Sequence, residues 1–438
     1  MLPARNTGIT QRQELTAPAP VLTGLLALIT CLASWQFTNP LPVFLFTCWC
    51  FFRNTPINIA GTSTPCSTAT LAGLSLDRDN NFNLLRMLAA WSVLFFHSYV
   101  LTGTTPTSWF DTHIGKQMGF YAVNIFFFIS GLLVTQSIER SGCSRRYLTA
   151  RFIRLVPPLC AVMLASILLL GPLMTSLPLQ TYFNNQETWL YLIANTSTRE
   201  LHFTLPGVFA NNPYPHIING SLWTLVYEMR LYLLLFVLYQ SGIMRNRNIA
   251  LCLAGILLVC YLAYAIHLES LGNEASYERA HNILLVHLYF LLGFLAAQLA
   301  HRLPVRWRYL AIPVAGVAAL RHSPLHDLAN GLLVSYLVLL LVYRLHPALH
   351  AYNKLGDYSY GTYLYAFPLQ QMLVAFFPSL TFGQLVLCAT PATLCCAFLS
   401  WHLLEKPLMM YVRKNRRDTI TGEPDIAPDT SQVNAHET

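Results

Sequence analysis

Apolar residues along the chain gather into runs of about twenty, separated by shorter polar stretches that carry most of the charge. Coiled as an α-helix, such a run matches the hydrocarbon thickness of a bilayer. Ten spans are predicted, at about 83–101, 119–138, 152–172, 221–241, 248–268, 282–300, 308–321, 327–345, 359–377 and 383–404. The seventh is short and contains Pro313. Upstream lie an apolar run at about 21–37, the break Asn39-Pro40-Leu41-Pro42, and a second run ending at Phe52. No small-x-small cleavage site follows closely, so these runs read as an uncleaved interrupted helix or short hairpin. The predicted fold is all-α: a polytopic membrane helical bundle with ten core spans plus one or two extra N-terminal hydrophobic segments. Residues 1–80 form an extension ending in a linker, 81–410 the ten-span domain, and 411–438 a polar tail expected to be disordered.

Composition agrees. The chain is 54% hydrophobic and 11% charged, which excludes an ordinary soluble domain. A net charge of +8 raises the question of nucleic acid, but no basic, aromatic-studded soluble domain is present to bind one. The cations alternate instead. One set of loops carries Arg140, Arg145, Arg146, Arg151 and Arg154, then Arg245 and Arg247, Arg302, Arg306 and Arg308, Arg344 and Lys354, and finally Lys406 to Arg417. The opposite set has only Lys116, Arg199, Arg279 and Arg321, diluted by acids. The rich set is expected in the cytoplasm, with the C-terminus. The eleven cysteines, including Cys48, Cys160, Cys252, Cys260, Cys395 and Cys396, show no zinc or redox spacing, so they are expected as small buried hydrophobes and no metal site is expected. The long outer loop at about 173–220 holds Tyr182, Phe183, Trp189, Tyr191, His202, Phe203, Tyr214 and His216. These suit either stacking on sugar rings or the small core of an interfacial cap.

Candidate chemistry lies inside the spans. Arg86 and His97 are eleven positions apart, almost three whole turns, so they share a helix face ~16 Å apart along the axis. A cation near one surface is thus aligned with an imidazole halfway through the bilayer; a snorkelling arginine and a structural histidine is the plainer alternative. Arg151 and Arg154 lie three apart at the start of a span, where two forked guanidinium groups suit phosphates, either of a soluble cofactor or of lipid headgroups. Glu228 lies about seven residues into its span, where it either orients His97 or forms a structural pair; Arg230, two positions on, must take a different partner. Ser130 and Gly131 read as small packing residues, and Glu405 and Lys406 as interfacial anchors.

Together these segments resemble the acyltransferase-3 family, ten-span membrane acyltransferases that modify bacterial surface glycans. The resemblance is carried by Asn81 to His97 with its Arg-x10-His spacing, Asn124 to Gly131, Arg151-x-x-Arg154 within Tyr147 to Pro157, Asn219 to Tyr232, Ser359 to Pro368, and Glu405-Lys406-Pro407. It runs in order through residues 81–407. It implies a bacterial inner-membrane enzyme that moves an acyl group, usually acetyl, from cytoplasmic acyl-coenzyme A to a hydroxyl of a surface polysaccharide or lipid-linked glycan, such as exopolysaccharide or O-antigen. Arg86, Arg151 and Arg154 would then hold the coenzyme phosphates. His97 would be general base or transient acyl acceptor, needing a neutral imidazole, with Glu228 positioning it and Trp223 and Tyr232 binding substrate. The rival readings are a glycan or small-anion transporter, against which no repeat of one half in the other is evident, and a structural membrane subunit.

Overall fold

The computed structural model describes residues 70–75, 80–105, 115–141, 144–197, 201–270 and 274–412. The predicted N-terminal hydrophobic segments and the polar tail beyond 412 lie outside the described residues. The helices are α1 Phe82–Leu101, α2 Lys116–Ser141, α3 Ser144–Ala165, α4 Leu179–Asn184, α5 Gln186–Ser197, α6 Trp223–Gln240, α7 Arg247–Ser270, α8 Glu274–Gln298, α9 Ala311–Leu320, α10 His326–Arg344, α11 Ser359–Phe376 and α12 Phe382–Ser400. Every predicted span has its helix, because a lipid-immersed backbone must satisfy its own N–H and C=O groups within the segment. Eight helices among the described residues are long and apolar enough to cross a membrane. Trp307–Leu320 is shorter. α11, the other predicted span outside that set, buries Gln370 and Gln371 in the bundle instead of facing outward.

The outer surface is greasy: Leu169, Val259, Leu387 and Leu403 are all exposed. Such a surface is stable against lipid and not against water. Cys252, Cys260 and Cys395 belong to this outer surface, contrary to the expected burial. Inside, α2 and α8 pack backbone to backbone. A Cβ on Gly131 would run into the Phe290 carbonyl, and one on Gly293 into the Phe128 carbonyl. α3 accommodates Pro157 and Pro158 and continues through a widened turn at Ser166–Leu170.

The long loop is a folded cap at the end of the bundle where α1 finishes and α6 begins. Tyr182 and Tyr191 are fully buried. The Tyr182 hydroxyl donates to the Ile167 carbonyl over 3.1 Å, and Asn195 ties the Tyr191 and His202 carbonyls together. For these two tyrosines the cap-core reading holds; Trp189 and Tyr214 stay exposed. Phe209 and His216 take positive φ values of 54° and 65°, a conformation costly for such side chains. Gln371 on α11 pins this stretch by donating to the Tyr214 and Ile217 carbonyls at 2.8 Å each, while Asn212 donates back to Gln371.

Candidate active site

At one end of the bundle, three helices converge on one carboxylate. Asp357 immediately precedes α11, and its Oδ1 accepts from the Ser359 hydroxyl (2.5 Å) and the Ser359 N–H (3.3 Å), which locks the start of the helix. Its Oδ2 accepts from the Arg86 guanidinium of α1 at 2.8 Å and from Arg154 of α3. Burial alone would raise this carboxyl, but Arg86 and Arg154, helped by the Ser359 hydroxyl, hold it well below the usual carboxylate range. Two of the three arginines expected to be free for phosphate are therefore already ion-paired, and the trio keeps one net positive charge. Arg151 parts from Arg154 although the two lie one turn apart on α3. Its guanidinium lies 5.9 Å from the centre of the Tyr232 ring, and its Nε has no hydrogen-bond partner among the described residues.

Glu228 on α6 accepts from the Ser130 hydroxyl of α2 at 3.0 Å and from the Tyr232 hydroxyl one turn along its own helix. Ser130 is thus a hydrogen-bonding residue, and Gly131 beside it does the packing. Arg86, Ser130, Arg154, Glu228 and Tyr360 line a small cavity of about 40 Å³. Arg230 turns away, with its guanidinium 5.8 Å from the Tyr227 ring centre. Glu405, expected at the interface, is buried and accepts from the Ser400 hydroxyl at 3.0 Å, because a widened turn at Trp401–Glu405 rotates it inward; Lys406 remains exposed.

His97 faces a second cavity of about 220 Å³ nearer the cap, lined also by Asn124, Ser221, Trp223, Asn282 and Tyr363. The imidazole packs edge-on against Phe367 at 4.9 Å between centroids. Its Nδ1 is buried without a hydrogen-bond partner among the described residues. This corrects one expectation: Glu228 does not hold His97. Ser221 and Trp223 stand at the level of the imidazole, and Glu228 is five residues past Trp223, ~7.5 Å further along the axis. The two residues expected to bind substrate separate likewise, Trp223 on the His97 cavity and Tyr232 in the Glu228 network.

Val123 and Tyr363 line both cavities. The Tyr363 hydroxyl donates to the Ser221 carbonyl at 2.8 Å and meets the Thr224 hydroxyl at 2.6 Å. The two cavities therefore share a wall, at which the Tyr363 hydroxyl joins Thr224 of the inner cavity to Ser221 of the outer one. A larger cavity, about 550 Å³, lies elsewhere, between α6, α7 and α8; its lining is nearly all apolar and includes none of the expected site residues. Asp357, Asn124, Ser221 and Tyr363 were not singled out from sequence. Asp357 alone carried a signal, an acid directly before a span at the same end as Arg86.

Residues 79–402 match the family model described as an acyltransferase domain. The chain is 26% identical over 348 residues to an O-acetyl transferase of Shigella phage Sf6, covering 76% of this chain and 96% of that protein. It is 28% identical over 364 residues to Nodulation protein 10 of Rhizobium leguminosarum bv. viciae, covering 75% and 93% respectively. No solved structure gives a significant match.

Proposed function

The chain belongs to the acyltransferase-domain family that its motifs resemble, a multi-pass membrane acyltransferase, and from that premise we propose that it O-acetylates a surface glycan using acetyl-coenzyme A. The end bearing Arg86, Arg151, Arg154 and Asp357 faces the cytoplasm of a bacterial inner membrane, as the cation-rich loops at that end favour. Arg151, whose guanidinium has no ion pair among the described residues, leads in holding the coenzyme phosphates, and the net positive charge of the Arg86–Asp357–Arg154 trio supports it. The acyl arm passes Glu228 and Thr224 towards the shared wall at Tyr363. The acceptor hydroxyl enters from the cap end, beside Trp223.

His97 is the general base. It takes the proton of the acceptor hydroxyl as that oxygen attacks the thioester carbonyl carbon; the C–S bond breaks, and the proton passes to the departing thiolate. The products are an ester and free coenzyme A. The name of the phage O-acetyl transferase supports acyl transfer to a hydroxyl. The observation that carries the reading is the arrangement on α1, where one face presents Arg86 to the inner cavity and His97 to the outer. Donor and acceptor on opposite sides of a membrane require such a route.

The test is transfer of radiolabelled acetyl from acetyl-coenzyme A to a surface-glycan extract, by purified wild type and His97→Ala. Label in the glycan with wild type alone, at equal protein levels, is the expected result. No label with acetyl, succinyl or longer donors across several extracts would discard acyl transfer in favour of transport.

A further inference from the structure

Three residues from separate segments that line the outer cavity each keep a buried polar atom without a hydrogen-bond partner among the described residues: His97 Nδ1, Asn124 Oδ1 and Ser221 Oγ. Asn124 is 2% exposed and Ser221 1%. Buried polar groups are nearly always satisfied, so three orphans around one cavity indicate that a ligand supplies their partners. Ser221 is also held rigidly. Its N–H donates to Asn219 Oδ1 at 3.1 Å and its carbonyl accepts from the Tyr363 hydroxyl, while Asn219 Nδ2 donates to the Leu364 carbonyl at 2.9 Å. Only the Ser221 hydroxyl is left uncommitted. No described hydrogen bond claims the Asn124 amide, and a half-turn exchanges its oxygen and nitrogen, so it presents a donor to the cavity as readily as an acceptor.

Resting on the acyl-transfer reading above, we propose that the Asn124 amide and the Ser221 hydroxyl donate to the thioester carbonyl oxygen and hold the oxyanion formed at His97. When the acceptor oxygen bonds to the carbonyl carbon, the π electrons move onto that oxygen, where the two donors meet them, and His97 carries the acceptor's proton. The carbonyl then re-forms, the C–S bond breaks, and the proton goes to sulfur. Fixed donors are strongest where charge develops, so their effect falls on kcat and not on donor binding.

A structural asparagine or serine and a transition-state donor differ in one measurable respect. An orphaned buried polar group costs stability, so its apolar replacement leaves the protein as stable or more so. Purified full-length Asn124→Leu, Asn124→Ala (which cannot overpack) and Ser221→Ala are compared with wild type for transfer kinetics and thermal melting. The expected result is a ~100-fold or larger fall in kcat for each, KM for acetyl-coenzyme A within about threefold of wild type, and a Tm equal or higher. With wild type active, a kcat within about threefold of wild type in the Asn124 variants or in Ser221→Ala overturns the proposal alone. So does a Tm that falls together with kcat, or failure of both Asn124 variants to accumulate, since either makes these residues structural. Wild type inactive with every acyl donor overturns the acyl-transfer reading and this proposal with it.

Discussion

Arg86 and Asp357 stand 271 positions apart in the chain and are joined by a 2.8 Å ion pair to Oδ2, the oxygen that also accepts from Arg154. The starts of α1 and α11 and the first half of α3 therefore share one fixed point. Each side chain is mostly buried, so the trio stands or falls together in a medium that does not tolerate a lone charge.

Asp357→Asn leaves two guanidinium groups side by side without an anion, and the expected cost is about 3–5 kcal/mol. The pH dependence has a definite sign. The carboxyl sits below its ordinary value in the folded protein, so its contribution is complete above about pH 4 and is lost only as the pH falls through the depressed folded value. Thermal melts of wild type and Asp357→Asn should therefore differ by a constant gap from pH 5 to 8, narrowing only below pH 4. A gap that closed between pH 7 and 5 would show that the two arginines do not hold this carboxylate.

Arg151 and Arg154 should separate by readout. Arg151→Ala breaks no ion pair among the described residues, so its Tm should stay near wild type while KM for the acyl donor rises ~10-fold or more, the loss of one charge-assisted contact. Arg154→Ala removes one of two cations from Asp357 and should lower both Tm and donor affinity, with a stability loss smaller than that of Asp357→Asn. Equal Tm losses for Arg151→Ala and Arg154→Ala would contradict this division. Melting curves and donor saturation kinetics on the three variants decide it.

What could be read from sequence follows from what each signal encodes. Apolar runs locate helices because bilayer thickness fixes their length, and the Arg86–His97 spacing gives a shared face because helical pitch is constant. Neither signal says which loop folds back on which helix, so the pairing of Arg86 with Asp357 was invisible. Nor does it give the relative depth of residues on neighbouring helices, which is why Glu228 was matched to His97 when its partners are Ser130 and Tyr232. Aromatic composition of an outer loop cannot separate a cap's core from a sugar platform, and Tyr182 and Tyr191 turned out to be core. Asn124 and Ser221 lie within the quoted motifs, yet an unpartnered atom is a property of packing and leaves no mark in the chain.

The Glu228 network makes a kinetic distinction. Glu228→Gln keeps the shape and an acceptor oxygen for Ser130 and Tyr232. Because Glu228 does not touch His97, the pH midpoint of transfer should remain that of wild type while the rate falls. A midpoint displaced by a unit or more would mean that the carboxylate acts on the imidazole after all. Tyr232→Phe breaks the same network from the other side, so the double variant should lose less than the product of the single losses, with a coupling of about 0.5–3 kcal/mol.

The contact of α2 with α8 tests whether close approach shapes the site. At Gly131 and Gly293 an added methyl would meet backbone carbonyls of the opposite helix, which cannot rotate aside as a side chain can. The helices must part, and Gly131→Ala or Gly293→Ala should each cost about 1–3 kcal/mol. α2 carries Asn124 and Ser130, and α8 carries Asn282 and Val286 on the His97 cavity, so the same separation widens the cavity and should lower kcat in protein that still folds. The second alanine should cost less than the first, because the gap is already open. Gly255→Ala on α7 and Gly316→Ala on α9, where an added Cβ meets nothing within 4 Å, are the controls, and helix propensity makes them neutral or stabilising by up to about 1 kcal/mol. Equal Tm values for Gly131→Ala and Gly255→Ala would show that the α2–α8 approach is not what sets the geometry around His97.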